Sequence, residues 1–225
     1  VHVAKQLVSA LKPNSNGSVT QWTVIAHSLG TIVAHDTLHA LSVETAPETG
    51  LPILDTMVPS ATAVVSLSNV SKVLENDVPV YDSEVVPPTE LNPKTVCFNY
   101  LSADNRYDPF LLPERFDPKD DPEWKLARKQ KSFLAVRTKN VLELNVHSFR
   151  NYVMNPAVHI PLFEFIAGQG VILPDERDTA LDEFEPFADE DLVEQAKKLA
   201  KDSKAETWFE RVGKFYALLK EAQSS

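Results

Sequence analysis

Residues 26–30 read Ala-His-Ser-Leu-Gly, with the apolar run Trp22 to Ile25 before them and a new apolar pattern after. A serine between small residues, where a strand gives way to a helix, is the pattern of a nucleophile elbow. The chemistry explains the spacing. The hydroxyl must stand clear of the sheet on a tight turn, in a backbone conformation that L-residues avoid. In such a turn the residues two before and two after approach each other, so Ala26 and Gly30 are suitable. The following helix points its first N–H groups, beginning with that of Leu29, to where negative charge develops. The competing reading of Ser28 is an ordinary helix N-cap.

A serine is a poor nucleophile without a base, and the base needs a group to hold it. Well beyond the elbow lie two histidines, His147 and His159. His147 follows the strand-like run VLELNV (141–146) and opens HSFRNYVMNP, which reads as a loop. His159 lies between Val158 and Ile160, where a packed core histidine is the better reading. Asp104 and Asp108 both follow the apolar run TVCFNYL (95–101), and Asp108 precedes Pro109, an ordinary turn opener. His27, beside the serine, is a candidate to line the site. His35 and His39 are spaced to share a helix face and could ligate a metal. No glutamate follows His35 in the HExxH manner and no third ligand is evident, so no metal is expected.

These residues need elements to carry them. Apolar residues at 3, 7, 8 and 11 predict a short amphipathic helix over residues 2–12, with a polar turn (PNSNGS) after it. QWTVIA (21–26) reads as a short buried strand and residues 29–41 as a helix. PSATAVVSLS (59–68), TVCFNYL and VLELNV supply three further strand candidates. Residues 121–136 read as helical, and PAVHIPLFEFIA (156–167) as a helix packed on the sheet. Strands alternating with helices predict an α/β fold with a mostly parallel sheet flanked by helices.

The character changes after Gly170. Between Asp175 and Asp191 there are nine acidic residues against Arg177 alone, which reads as a solvated linker. Two helices follow, the last with a stripe of Trp208, Val212, Phe215 and Leu219 that fits docking on the rest of the chain. The expected organisation is a segment over residues 1–170 and an acidic linker with a helical C-terminal extension over 171–225.

Composition narrows the function. With 225 residues, 43% of them hydrophobic, the chain can bury a proper core. A net charge of −10 and a pI near 5.1 argue against a basic face for nucleic acid. No apolar run approaches the roughly 20 residues of a membrane helix, and no signal peptide is visible. The single cysteine, Cys97, reads as a buried structural thiol and favours a reducing, cytoplasmic compartment.

On the strand, the AHSLG turn and the apolar helix after it, the sequence resembles the α/β-hydrolase family, with alanine in place of the commonest first glycine. The resemblance runs from residue 1 to about 170 and looks like the second half of the fold. It implies the chain order nucleophile, acid, histidine. Ser28 would be the nucleophile and His147, past a strand's C-terminal end, the base. Asp108 would fix the imidazole, since related enzymes often carry Asn, a few residues, then Asp-Pro; Asp104 is the alternative. The backbone N–H of Leu29 would be one oxyanion donor. The family strands that precede the elbow have no counterpart here, and they normally supply the second donor. The start at Val1 and the strand of Ser28 left at an edge lead to the expectation of a segment of a longer hydrolase, or of one needing a second chain.

The function implied is cleavage of carboxylic esters, lipase- or esterase-like, through an acyl-enzyme and without a cofactor. The apolar residues of PFLLPERFDPKDDPEW (109–124) either shape an acyl pocket or cover the core. Thioesterase or amidase chemistry would use the same residues. The rival reading is a non-catalytic interaction scaffold that keeps the hydrolase fold and binds a protein through its acidic linker and C-terminal helices.

Overall fold

The computed structural model describes residues 6, 9, 21–51, 53, 61–70, 99–110, 133–184, 190–202 and 208–224. Among them, four strands form one sheet: β1 (Trp22–His27), β2 (Ala61–Leu67), β3 (Asn99–Asn105) and β4 (Phe133–Thr138). Their order is β1-β2-β3-β4 and every pairing is parallel. Helix α1 (Leu29–Val43) follows β1 directly. After β4 come α2 (Phe149–Val153), α3 (Pro156–Ala167), α4 (Pro174–Phe184), α5 (Glu190–Asp202) and α6 (Trp208–Ser224). The architecture is a four-stranded parallel sheet with flanking helices, of the α/β class.

Position in the sheet explains strand composition. β2 lies between two partners, and its residues 63–67 are all buried, as a parallel strand covered on both faces requires. β1 and β4 are the outer strands among the described residues, and each exposes a large apolar side chain, Ile25 and Leu134. One face of the sheet packs Ala63, Val65, Leu67, Leu101 and Ala103 against Tyr152 of α2 and Val158 and Leu162 of α3. Helix α3 begins at an Asn155 cap that accepts from Ala157 N–H at 2.9 Å, with Pro156 in the first turn, and ends at Gly168 with φ of 105°.

Three expectations are corrected. Residues 133–136 belong to β4, not to a helix; pairing with β3 overrides the local helical pattern. The VLELNV run is an irregular stretch rather than a strand. Its backbone is satisfied locally, with Leu142 N–H donating to Asn151 Oδ1 at 3.0 Å and Val146 N–H to the Leu144 carbonyl at 3.1 Å. Val141 and Val146 are buried at its two ends against Ala196 of α5. The strand that precedes His147 is therefore β4. HSFRNYVMNP, read as a loop, contains α2, whose Ser148 cap accepts from Asn151 N–H.

The acidic stretch also departs from expectation, since residues 174–184 form α4. Two carboxylates in its first turn, Asp175 and Glu176, favour the helix start. Arg177 of α4 pairs with the buried carboxylate of Glu164 on α3. The two C-terminal helices reach back to the sheet end: Leu199 of α5 and Leu219 of α6 share an apolar cluster with Ile32, Val70 and Phe110. The helix expected over 2–12, apart from residues 6 and 9, lies outside the described residues. So do residues 95–98 with Cys97, the acidic residues 185–189, residues 111–124 of the apolar insertion and the side chains of Trp208 and Phe215. No helix among the described residues is long and apolar enough to cross a membrane.

Candidate active site

Ser28 sits between β1 and α1 with φ of 55° and ψ of −128°. A left-handed φ costs a residue with a Cβ energy, and here it turns the hydroxyl out of the helix that follows. The residue occupies the N-cap position, yet its side chain makes no capping hydrogen bond. Its Oγ instead lies 2.7 Å from Nε2 of His147. The Ser28 carbonyl accepts from the Thr31 hydroxyl and N–H, at 2.6 and 2.9 Å, so that amide of the first turn is satisfied without the serine side chain. Gly30 is not forced by crowding, because a Cβ placed there meets nothing within 4 Å. The expected squeeze between residues 26 and 30 is therefore absent for a methyl group.

The strand ends hold these loops in a staircase. Ser28 N–H donates to the Leu67 carbonyl at 3.1 Å, Ser68 N–H to Ala103 at 2.9 Å, and Arg106 N–H to Thr138 at 2.8 Å. Each strand's pairing thus continues into the residues just beyond it. At the last residue of β3, Asn105 Oδ1 accepts from Tyr107 N–H at 2.9 Å and the Asn105 carbonyl accepts from Asp108 N–H at 3.0 Å. That turn aims the Asp108 carboxylate back over the sheet.

His147 joins the two. Its Nδ1 lies 2.9 Å from Asp108 Oδ2, its Nε2 faces Ser28, and both its ring and the Asp108 side chain are buried. An ionised carboxylate only accepts, so Nδ1 carries the proton, and Nε2 is left to accept from the Ser28 hydroxyl. The ring is also wedged edge-on by Phe110, with centroids 4.3 Å apart. On the other side His27 Nε2 lies 2.6 Å from the His147 carbonyl and must donate to it. That bond fixes the main chain of His147 to the residue beside Ser28.

Electrostatics agree with this arrangement. Burial alone would push the Asp108 carboxyl up, but the hydrogen bond and charge of His147, then Ser68 and the Phe110 N–H, together hold it below the usual carboxylate range. Burial and the nearby His147 ring keep His27 below the ordinary histidine value. Burial, with the charges of Asp108 and Asp104, holds the Tyr152 phenol well above its ordinary value, so it remains a proton donor.

Ser28, Asp108 and His147 thus converge from three separate stretches of chain. Leu29, whose N–H heads α1 where no intrahelical acceptor exists, stands next to Ser28. No second oxyanion donor is assigned among the described residues. Asp104 is buried within β3, where its carbonyl accepts from Thr138 Oγ1 at 3.3 Å; Asp108 is the carboxylate that meets the imidazole. His159 bonds the Val153 carbonyl through Nδ1 at 3.1 Å within the helical layer. The side chains of His35 and His39 lie outside the described residues. Among those described, no group of three or more His, Cys, Asp or Glu gathers as a metal site would need.

Sequence reasoning missed Ser68 and Tyr152, both of which touch Asp108. Ser68 carried one usable signal: like Ser28, it ends a strand. Tyr152 carried none, because its stretch read as a loop.

No family model matches the chain, and neither a curated protein nor a solved structure does.

Proposed function

We propose that the chain is a serine hydrolase of the α/β-hydrolase type that cleaves carboxylic esters. The observation that carries the reading is the unbroken path from the left-handed Ser28 hydroxyl through both ring nitrogens of His147 to a buried, ionised Asp108. In the reaction, Nε2 takes the Ser28 proton as Oγ attacks the ester carbonyl. The developing oxyanion is met by the Leu29 N–H and the start of α1. Collapse of that intermediate breaks the bond to the alcohol, which leaves with the proton from Nε2. Water, deprotonated by the same nitrogen, then releases the acid and restores Ser28. Asp108 stays ionised throughout, holds the tautomer and stabilises the transient imidazolium.

The test is covalent labelling by a fluorophosphonate probe. Wild-type protein is expected to label at Ser28, and Ser28→Ala is expected to abolish labelling and lower ester turnover by about 10⁴-fold or more. A wild-type protein that folds but takes no label overturns the reading.

A further inference from the structure

Orienting an imidazole requires one hydrogen bond from a carboxylate, yet Asp108 receives four donors. Oδ2 accepts from His147 Nδ1 at 2.9 Å, from the Ser68 hydroxyl at 2.7 Å and from the Tyr152 hydroxyl at 2.7 Å. Oδ1 accepts from Phe110 N–H at 3.0 Å. The two hydroxyls come from different elements, one just past β2 and one on α2, and the hydrolytic scheme above uses neither.

Both are held in place at a cost. Ser28 and Ser68 are the two non-glycine residues with positive φ among those described, Ser68 at 48°. Serine ordinarily avoids that conformation, and strain at a strand end is kept where it serves a site. Here it sends the Ser68 hydroxyl inward, 2.7 Å from Oδ2 and 3.0 Å from His147 Nδ1. The Tyr152 side chain is fully buried, and its oxygen already accepts from Asn105 N–H at 3.1 Å. Its one proton is therefore directed to Asp108.

We propose that Ser68 and Tyr152 are positioning residues that keep Asp108 ionised and lock its Oδ2 against His147 Nδ1, so that Nε2 stays free for Ser28. The role rests on the hydrolase reading. A fully buried carboxyl with a single neutral partner tends to take up a proton, and a protonated Asp108 no longer dictates the tautomer of the ring. The ionisable groups around it are His147, His27 across the His147 ring and Tyr152, with Asp104 acting on the phenol. The Ser68 and Tyr152 hydroxyls add two neutral donors to the one His147 supplies, so the carboxylate stays stabilised when the imidazole reorients.

Two variants separate this role from scaffolding. Ser68→Gly removes the hydroxyl and relieves the left-handed backbone, and Tyr152→Phe removes the hydroxyl and keeps the ring. The acid-side titration of the Asp108 carboxyl is followed by ¹³C NMR, assigned by its loss in Asp108→Asn. Each variant is expected to raise that midpoint by about half to one pH unit. Fluorophosphonate labelling at neutral pH is expected to slow about 3- to 10-fold in each and further in the double variant, with the Tm of Ser68→Gly close to that of wild type because relief of the left-handed backbone offsets the lost hydrogen bond. Unmoved midpoints with unchanged labelling overturn the assignment, and Ser68→Gly decides alone if Tyr152→Phe does not fold. Absence of labelling in the wild-type protein overturns the hydrolase reading and this role with it. A labelled wild type with unmoved midpoints overturns only the role.

Discussion

The turns at the ends of β1, β2 and β3 and the helix α4 are built on opposite terms. There Ser68 and Asp108, in the turns after β2 and β3, and His147, brought to them by the stretch after β4, are buried polar residues, and each bonds the other two. Helix α4 buries no residue and is tied to α3 by the Arg177–Glu164 pair. In the first region each polar atom is a constraint on its neighbours, because an unpaired one in a dry setting is costly. In the second, no side chain of the helix is shut off from water, although the Glu164 carboxylate that Arg177 meets is buried. Helices α5 and α6 belong between these limits: their surfaces are charged, but Leu199 and Leu219 reach the cluster that contains Phe110.

The sharpest test of the contrast is Asp108→Asn. The amide cannot accept from Ser68, Tyr152 and His147 at one oxygen while presenting hydrogens at its nitrogen, so the ring loses its fixed tautomer. Probe labelling is expected to fall by about 10⁴-fold. A loss under tenfold would mean that the network does not constrain the imidazole.

Phe110→Ala probes the join between the regions. The side chain is fully buried, lies against His147 and packs with Leu199 and Leu219. Unfolding by urea is expected to show a loss of about 3 kcal/mol or more, with slower labelling as the ring loosens. A stability change without any change in labelling would separate the C-terminal helices from the site.

His27→Gln should act through pH. The folded protein resists protonating His27, whereas the unfolded chain takes up that proton below its ordinary value near 6.5. Wild-type stability therefore falls as pH drops from about 7 to 5. Glutamine keeps a donor for the His147 carbonyl and does not titrate, so its Tm is expected to change less over that window. Equal changes in both proteins would remove His27 from the account. The Asp108 contribution has the same sense in a separate, lower window: it is present above the ordinary carboxylate value near 3.8 and lost as pH falls through the lowered folded value.

Arg177→Ala is the mildest case. The arginine side chain is 41% exposed, so the loss is expected to be about 1 kcal/mol, with labelling unchanged. A change in labelling rate would tie α4 to the site after all.

What the sequence made legible follows the range of the forces involved. The elbow stood out because strand, turn and helix signals adjoin within residues 22–41. Asp108 is legible because it follows the β3 run, whereas the VLELNV run that points to His147 is no strand and the strand before it is β4. β4 escaped notice because an outer strand need not alternate cleanly, and its pairing with β3 is decided by tertiary contact. VLELNV misled because its apolar residues serve two clusters without a partner strand: Val141 and Val146 pack with Ala196, Leu144 packs beside the Phe110 cluster, and Asn151 takes the Leu142 N–H. Ser68 and Tyr152 stand 40 and 44 residues from Asp108 in sequence. No local pattern reports an encounter at that distance, and a hydroxyl at a strand end has many uses.

The staircase of amide bonds from Ser28 to Leu67 and from Ser68 to Ala103 has a geometric consequence. The backbones of the two serines are the terminal rungs of the sheet itself, so the gap between them is set by the strand repeat of about 4.8 Å. The separation of the two left-handed serines is then inherited from the pleated framework. Crossover segments can lengthen or shorten without retuning it, provided the last rungs close.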